Sequence, residues 1–215
     1  MRYDRFYMSE QCIRNQAMHN EIDYQIQLKK FIESNMLIMQ ILHQLYTVEP
    51  SAYIAAGIIR NTIWSHLHQS EYALDGTEVD IIFHNLSEDS QLSKKITACM
   101  SKVFPNMQWD VTNQATVHHW YRLENGEAIA PLASIEHALS MWPETATAVA
   151  IRLNAHDQLE IVAPFGLADL LELKLRWNST LVSYEGFMKR IKQKKMMSRW
   201  PKLELIDSHI ENKRD

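Results

Sequence analysis

With 215 residues, 46% of them hydrophobic and 22% charged, the chain can bury one core of ordinary size. A formal charge of −4 and a pI near 6.2 give no electrostatic footprint for a dedicated nucleic-acid binder. Cys12 and Cys99 are too few and too far apart for a disulfide framework or a thiolate metal site, which points to a reducing cytoplasm. No stretch approaches the ~20 apolar residues of a membrane-spanning helix, and the charged opening Met1-Arg2-Tyr3-Asp4-Arg5 is followed by no apolar leader.

Residues 10–47 contain neither Gly nor Pro. Tyr24, Leu28, Phe31 and Ile32, then Leu37, Ile38, Ile41, Leu42 and Leu45, recur at helical spacing, predicting two helices broken near Ser34-Asn35. Pro50 closes this helical lead-in, residues 1–49. Ala52-Tyr53-Ile54-Ala55-Ala56 then reads as a short strand that turns at Gly57 into a helix carrying Ile59, Ile63 and Leu67. A second strand is expected at 78–84, a helix over Gln91–Val103, and a third strand over Asn106–Thr112. The runs Ala148–Leu153 and Leu159–Ala163 flank a hairpin turn, and a short helix begins at Leu167. From about Tyr184 the chain reads as helical again, with a break at Trp200-Pro201. These elements predict an α+β fold: a mixed central sheet over residues 50–183, with helical additions before it and over 184–215.

Chemistry concentrates in the second strand. Residues i and i+2 of a strand share a face, so Glu78 and Asp80 stand together while Val79, Ile81 and Phe83 face the other way. Adjacent carboxylates repel unless a cation lies between them, and Mg²⁺ is held by carboxylates together with substrate phosphates. Asp110, on the next strand with Trp109 and Val111 turned away, is the expected third acid if the two strands pair. Gly57 sits where a backbone can approach phosphate at a helix N-terminus. Arg60 adds a permanent charge in that first turn, and Asn61 a further donor. The lysine-rich run Lys189–Lys195 reads as a solvated helix face, and Asp169 as a structural hydrogen-bonding residue.

The order of these motifs resembles that of the polymerase-β-like nucleotidyltransferases, whose minimal fold is a strand, a helix opened by Gly-Ser, and a strand carrying Asp-x-Asp. More closely, the chain looks like a group of uncharacterised bacterial nucleotidyltransferase-like proteins. The likeness rests on Ala55–Trp64, Glu78–Phe83, Trp109–Ala115 with His118, Trp142–Val149, Ala163–Leu170 and Trp200-Pro201, and so covers residues ~50–205.

The resemblance implies Mg²⁺- or Mn²⁺-dependent transfer of a nucleoside monophosphate from an NTP to an acceptor, with release of pyrophosphate. Glu78, Asp80 and Asp110 would be the metal-binding and catalytic acids, and Gly57, Arg60 and Asn61 the phosphate contacts. Asn113 and His118 are expected to line the pocket. Three departures, Glu78 for the first aspartate, Ile58 for a serine and Thr116 for an arginine, favour an alternative. In it, a degenerate copy binds a nucleotide or a protein without transferring anything. The acceptor, the preferred base and the oligomeric state are not set by these residues. Net charge leaves a nucleic-acid acceptor open without pointing to one.

Overall fold

The computed structural model describes residues 3–87 and 90–206, with side chains from Gln16 onward. Cys12, the first two residues and residues 207–215 therefore lie outside the described side chains or segments. The chain opens with two helices, α1 (Tyr3–Glu33) and α2 (Met36–Val48). The break between them falls at Ser34-Asn35, where the Asn35 side chain accepts the Ile38 N–H at 3.1 Å and caps α2. Ile38, Ile41, Leu42 and Leu45 of α2 are all buried, the i, i+3, i+4, i+7 stripe of an amphipathic helix.

Strand β1 (Tyr53–Ala55) leads through a tight turn into α3 (Gly57–Leu67), and β2 (Glu78–Phe83) follows. Next come α4 (Gln91–Val103), β3 (Gln108–Asn113), the short helices α5 (Val117–Trp120) and α6 (Ile135–Ser140), and the hairpin strands β4 (Ala150–Leu153) and β5 (Leu159–Val162). The chain then forms α7 (Ala168–Leu171), β6 (Lys174–Arg176), α8 (Tyr184–Gln193), α9 (Met196–Arg199) and β7 (Glu204–Ile206).

The five-stranded sheet runs β3-β2-β1-β4-β5 and is mixed: β2 and β3 are parallel, the other neighbours antiparallel. Alternation gives it two different faces. Ile54, Val79, Ile81, Phe83, Ile151 and Leu153 bury one of them in a core shared with α1 to α4. The opposite face carries a smaller cluster of Tyr53, Ala55, Ile82 and Ala150 under Leu139 and Ala148, and it also bears the acids.

Two expectations change. The third strand begins at Gln108 instead of Asn106, because the Asn106 carbonyl accepts the Gly76 N–H and Met107 closes a turn on Phe104. The C-terminal stretch is not wholly helical: Glu204–Ile206 pairs in parallel with Lys174–Arg176 as a second, two-stranded sheet. Trp200 just before it is buried, edge-on to Trp64 at 5.2 Å between ring centres, and donates to Ser65 Oγ at 3.2 Å.

Candidate active site

The turn between β1 and α3 is strained. Ala56 adopts φ 57°, ψ −121°, a region that disfavours a side chain bearing Cβ. Its N–H is held by the Val149 carbonyl and its own carbonyl accepts the Arg60 N–H. The Gly57 backbone N–H lies against the Asp80 carboxylate and favours its charged form. A Cβ on Gly57 would meet Asp80 Oδ2 at 3.9 Å, an ordinary contact. The left-handed demand of the turn thus falls on Ala56, one residue before the glycine.

Asp80 pairs with Ala55 on one side and stands level with Asp110 on the other, in the parallel β2–β3 register. Glu78 lies two residues earlier on the same face, exposed. Burial, then the Asp110 and Glu78 charges, push the Asp80 carboxyl up to about 6, against the pull of the Gly57 N–H and of Lys194. Thr112 donates to Asp110 at 3.0 Å and steadies it. The sequence therefore places Glu78, Asp80, Asp110 and Gly57 together, and the structure does the same.

Gly57, Glu78 and Asp80 form one wall of a cavity of about 310 Å³, while Asp110 stands outside its lining. The other wall is cationic: Arg190 on α8 and Lys194, the residue that caps the C-terminus of α8 four positions on, face into it beside Arg60 and Thr147. Behind this wall lies Glu144, fully buried. It takes Arg60 at 3.1 Å, Thr147 Oγ1 at 2.5 Å and the Arg190 guanidinium. Burial alone would raise the Glu144 carboxyl; Arg60 and Arg190 overcome that and hold it low. One buried anion thus fixes two arginines and leaves the wall with surplus positive charge.

A second cavity, about 230 Å³, opens on the opposite side of Asp80. It shares Asp80, Trp142 and Pro143 with the first, so the Trp142-Pro143 corner divides the two. Its character differs: Tyr121, Ile129, Leu132 and Met141 line it, with Asp110 at its polar edge.

The remaining expected residues lie elsewhere or are already engaged. Arg60 borders the first cavity, but Glu144, Thr147 and Asn61 occupy its fork. Asn61 accepts from Arg60 and donates to Tyr72 at 3.0 Å, turned away from both cavities. Buried Asn113 ties the end of β3 to the loop after β2, accepting the Asn85 N–H and donating to the Asn85 carbonyl. It borders a separate hollow with Thr116 and Trp120. His118 stacks on His119 with ring centres 3.9 Å apart and lines neither cavity next to Asp80. Asp169 accepts from Thr145 at 2.6 Å and Arg176 at 2.9 Å, joining α7 to β6.

Sequence reasoning missed Glu144, Arg190 and Lys194. The i, i+4 spacing of Arg190 and Lys194 was the available signal, hidden in a run that read as uniformly solvated. Lys189, Lys192 and Lys194 are all exposed and Arg190 is half-buried, but of the four only Arg190 and Lys194 border this cavity.

The acids suit a hard divalent cation as a half-site. Among the described residues no group of three or more His, Cys, Asp and Glu closes into a cage. Mg²⁺ is commonly held by one or two carboxylates with the rest supplied by substrate phosphates and water. Mutual repulsion at Asp80, relieved by a cation, fits that mode.

Comparison with known proteins follows the same line. No curated protein matches the chain. Among solved structures, one described as a CCA-adding enzyme head domain superposes with a TM-score of 0.69 at 25% identity. It covers 84% of this chain and 95% of its own. A CCA-adding enzyme with CTP gives 0.57 at 15% identity, and the Thermotoga maritima CCA-adding enzyme complexed with tRNA gives 0.55 at 15%. Those two matches cover 85% and 86% of this chain but only 44% and 43% of the enzymes, so they speak for the fold alone. A nucleotidyltransferase family model matches residues 48–205, from the end of α2 to β7. With the strand–Gly–helix turn, the paired acids and the mixed sheet in place, the chain belongs to this nucleotidyltransferase family.

Proposed function

We propose that this protein transfers a nucleoside monophosphate from an NTP to an acceptor hydroxyl in a metal-dependent reaction. One observation carries the reading: an acidic wall and a cationic wall face each other across one cavity at the N-terminus of α3. Mg²⁺ or Mn²⁺ bound by Glu78 and Asp80 would neutralise the phosphates and position the α-phosphorus. Arg190 and Lys194 would hold the β- and γ-phosphates, and the Gly57 backbone would lie against them. Arg60, its fork taken by Glu144, would contribute field more than contact. Asp110 would accept the acceptor's proton as its oxygen forms a bond to the α-phosphorus. The bond to the bridging oxygen then breaks, and pyrophosphate leaves with that electron pair toward the cationic wall. Such catalysis is mainly positioning and charge neutralisation.

A second reading, a copy that binds nucleotide without transfer, is favoured by the open half-site and by the exposure of Glu78 and Asp110. The half-buried free thiol of Cys99 suits a reducing cytoplasm for either reading. Among the described residues, no helix is long and apolar enough to cross a membrane.

Calorimetric titration of the four NTPs with Mg²⁺ or Mn²⁺ tests the site. Wild type should bind in a metal-dependent way, and Glu78→Gln/Asp80→Asn should not. Folded wild type that binds no NTP would sink the transferase reading. Binding without pyrophosphate release, across an acceptor screen, would establish the second reading instead.

A further inference from the structure

We infer that the apolar cavity beyond Asp110 is the acceptor site, and that it takes an uncharged molecule presenting a hydroxyl on an apolar ring or short chain. This rests on the transfer reading above. In an in-line displacement the attacking and departing oxygens lie on opposite sides of the phosphorus. The departing pyrophosphate belongs at Arg190 and Lys194, on one side of Asp80. The attacking hydroxyl must then arrive from the other side, where Asp110 stands level with Asp80 and the second cavity opens. The nucleoside's own 5′-oxygen takes neither end of that axis, which leaves this end to the acceptor.

The lining sets the chemical class. Among the described residues, no Lys, Arg or His borders the cavity, and the charged groups lining it are Asp80 and Asp110. A phosphate-bearing acceptor would enter against two carboxylates with nothing to offset its charge, which disfavours an RNA end. Trp142, Tyr121, Leu132 and Met141 offer broad apolar surface. Size agrees: a dry cavity of about 150 Å³ holds a benzene ring. The 230 Å³ here admits such a ring with a short arm reaching Asp110.

The test uses the full-length protein and 2-phenylethanol, with saturation-transfer NMR reading the alcohol and calorimetry reading Mg²⁺–NTP. Ala138→Phe fills the cavity from its buried floor, and Leu181→Trp fills it from its less buried side, which keeps the test valid if the first variant misfolds. The expected result is at least a tenfold loss of alcohol binding in either variant, with NTP affinity within twofold of wild type. Loss of NTP affinity instead would make the cavity the base site and overturn the inference. Alcohol binding indifferent to both variants, or displacement of the alcohol by a short RNA, would overturn it equally. A wild type that binds the alcohol in this cavity but no NTP would overturn the acceptor role through the transfer reading alone.

Discussion

Glu144 and Arg60, 84 positions apart in sequence, form an ion pair at 3.1 Å with side chains 0% and 4% exposed. Arg190 reaches the same carboxylate from α8. One buried carboxylate thus joins α3 to α8 and sets the cationic wall between them.

Glu144→Gln should therefore destabilise the fold strongly. Removing one partner of a buried pair leaves an uncompensated charge and typically costs about 3–5 kcal/mol. Denaturant unfolding at pH 7 would measure it. The sign with pH is fixed by the depressed carboxyl: its stabilisation is fully present above the unfolded value and lost as pH falls through the folded one. The gap between variant and wild type should accordingly narrow in acid. An unchanged midpoint at pH 7 would refute the hub.

Asp80→Asn should do the reverse in the metal-free protein. Folding raises this carboxyl from 3.8 to about 6, so the native state holds the proton more tightly than the unfolded chain. Stability is then highest below the unfolded value and declines as pH rises through about 6. At about 1.4 kcal/mol per pKa unit, and allowing for solvent screening, the neutral variant should gain about 1–2 kcal/mol at neutral pH and nothing near pH 4. Thermal unfolding across pH in a chelator would show it. Added Mg²⁺ should stabilise wild type and leave the variant unmoved. Such a residue, costly to the fold yet kept in place, is what a functional site is expected to contain.

The acids were legible for a simple reason: strand alternation puts Glu78 and Asp80 on one face whatever surrounds them. Asp110 needed one further condition, that its strand lie beside theirs, and the parallel register meets it. Arg60 shows where local reading stops. Its place in the first turn of α3 pointed to phosphate, but a carboxylate far along the chain determines what its fork touches. The lysine-rich helix was opaque for a related reason. Burial of Phe187 and Ile191 sets which way α8 turns, and that rotation separates Arg190 and Lys194 from their solvated neighbours. Strand β7 is three residues long and has meaning only beside β6, about 30 positions earlier, a pairing that no local pattern announces.

Ala56→Gly should stabilise the turn between β1 and α3. An L-residue held at φ 57°, ψ −121° bears a steric cost that glycine does not. Release of that strain is worth about 1–2 kcal/mol, partly offset by the greater freedom of glycine in the unfolded chain. Equilibrium unfolding should report a net gain of about 1 kcal/mol, and a loss would mean that the turn is not strained.

Lys194→Met tests the proposed triphosphate contact. Unlike Arg190, Lys194 makes no ion pair among the described residues, so its removal strands no buried partner. Burial, then the Arg190 and Arg60 charges, hold its ammonium below the usual lysine range, a load that an arriving phosphate would relieve. Hydrogen bonds to charged groups are worth about 1.5–3 kcal/mol, so NTP affinity should fall roughly 10- to 100-fold. NMP affinity should hold, because the monophosphate stops short of this wall. Calorimetry with both ligands, at equal Mg²⁺ and at two salt concentrations, separates contact from field. Equal loss for NTP and NMP would show that Lys194 acts on the cavity as a whole, whereas loss confined to NTP assigns it the departing phosphates.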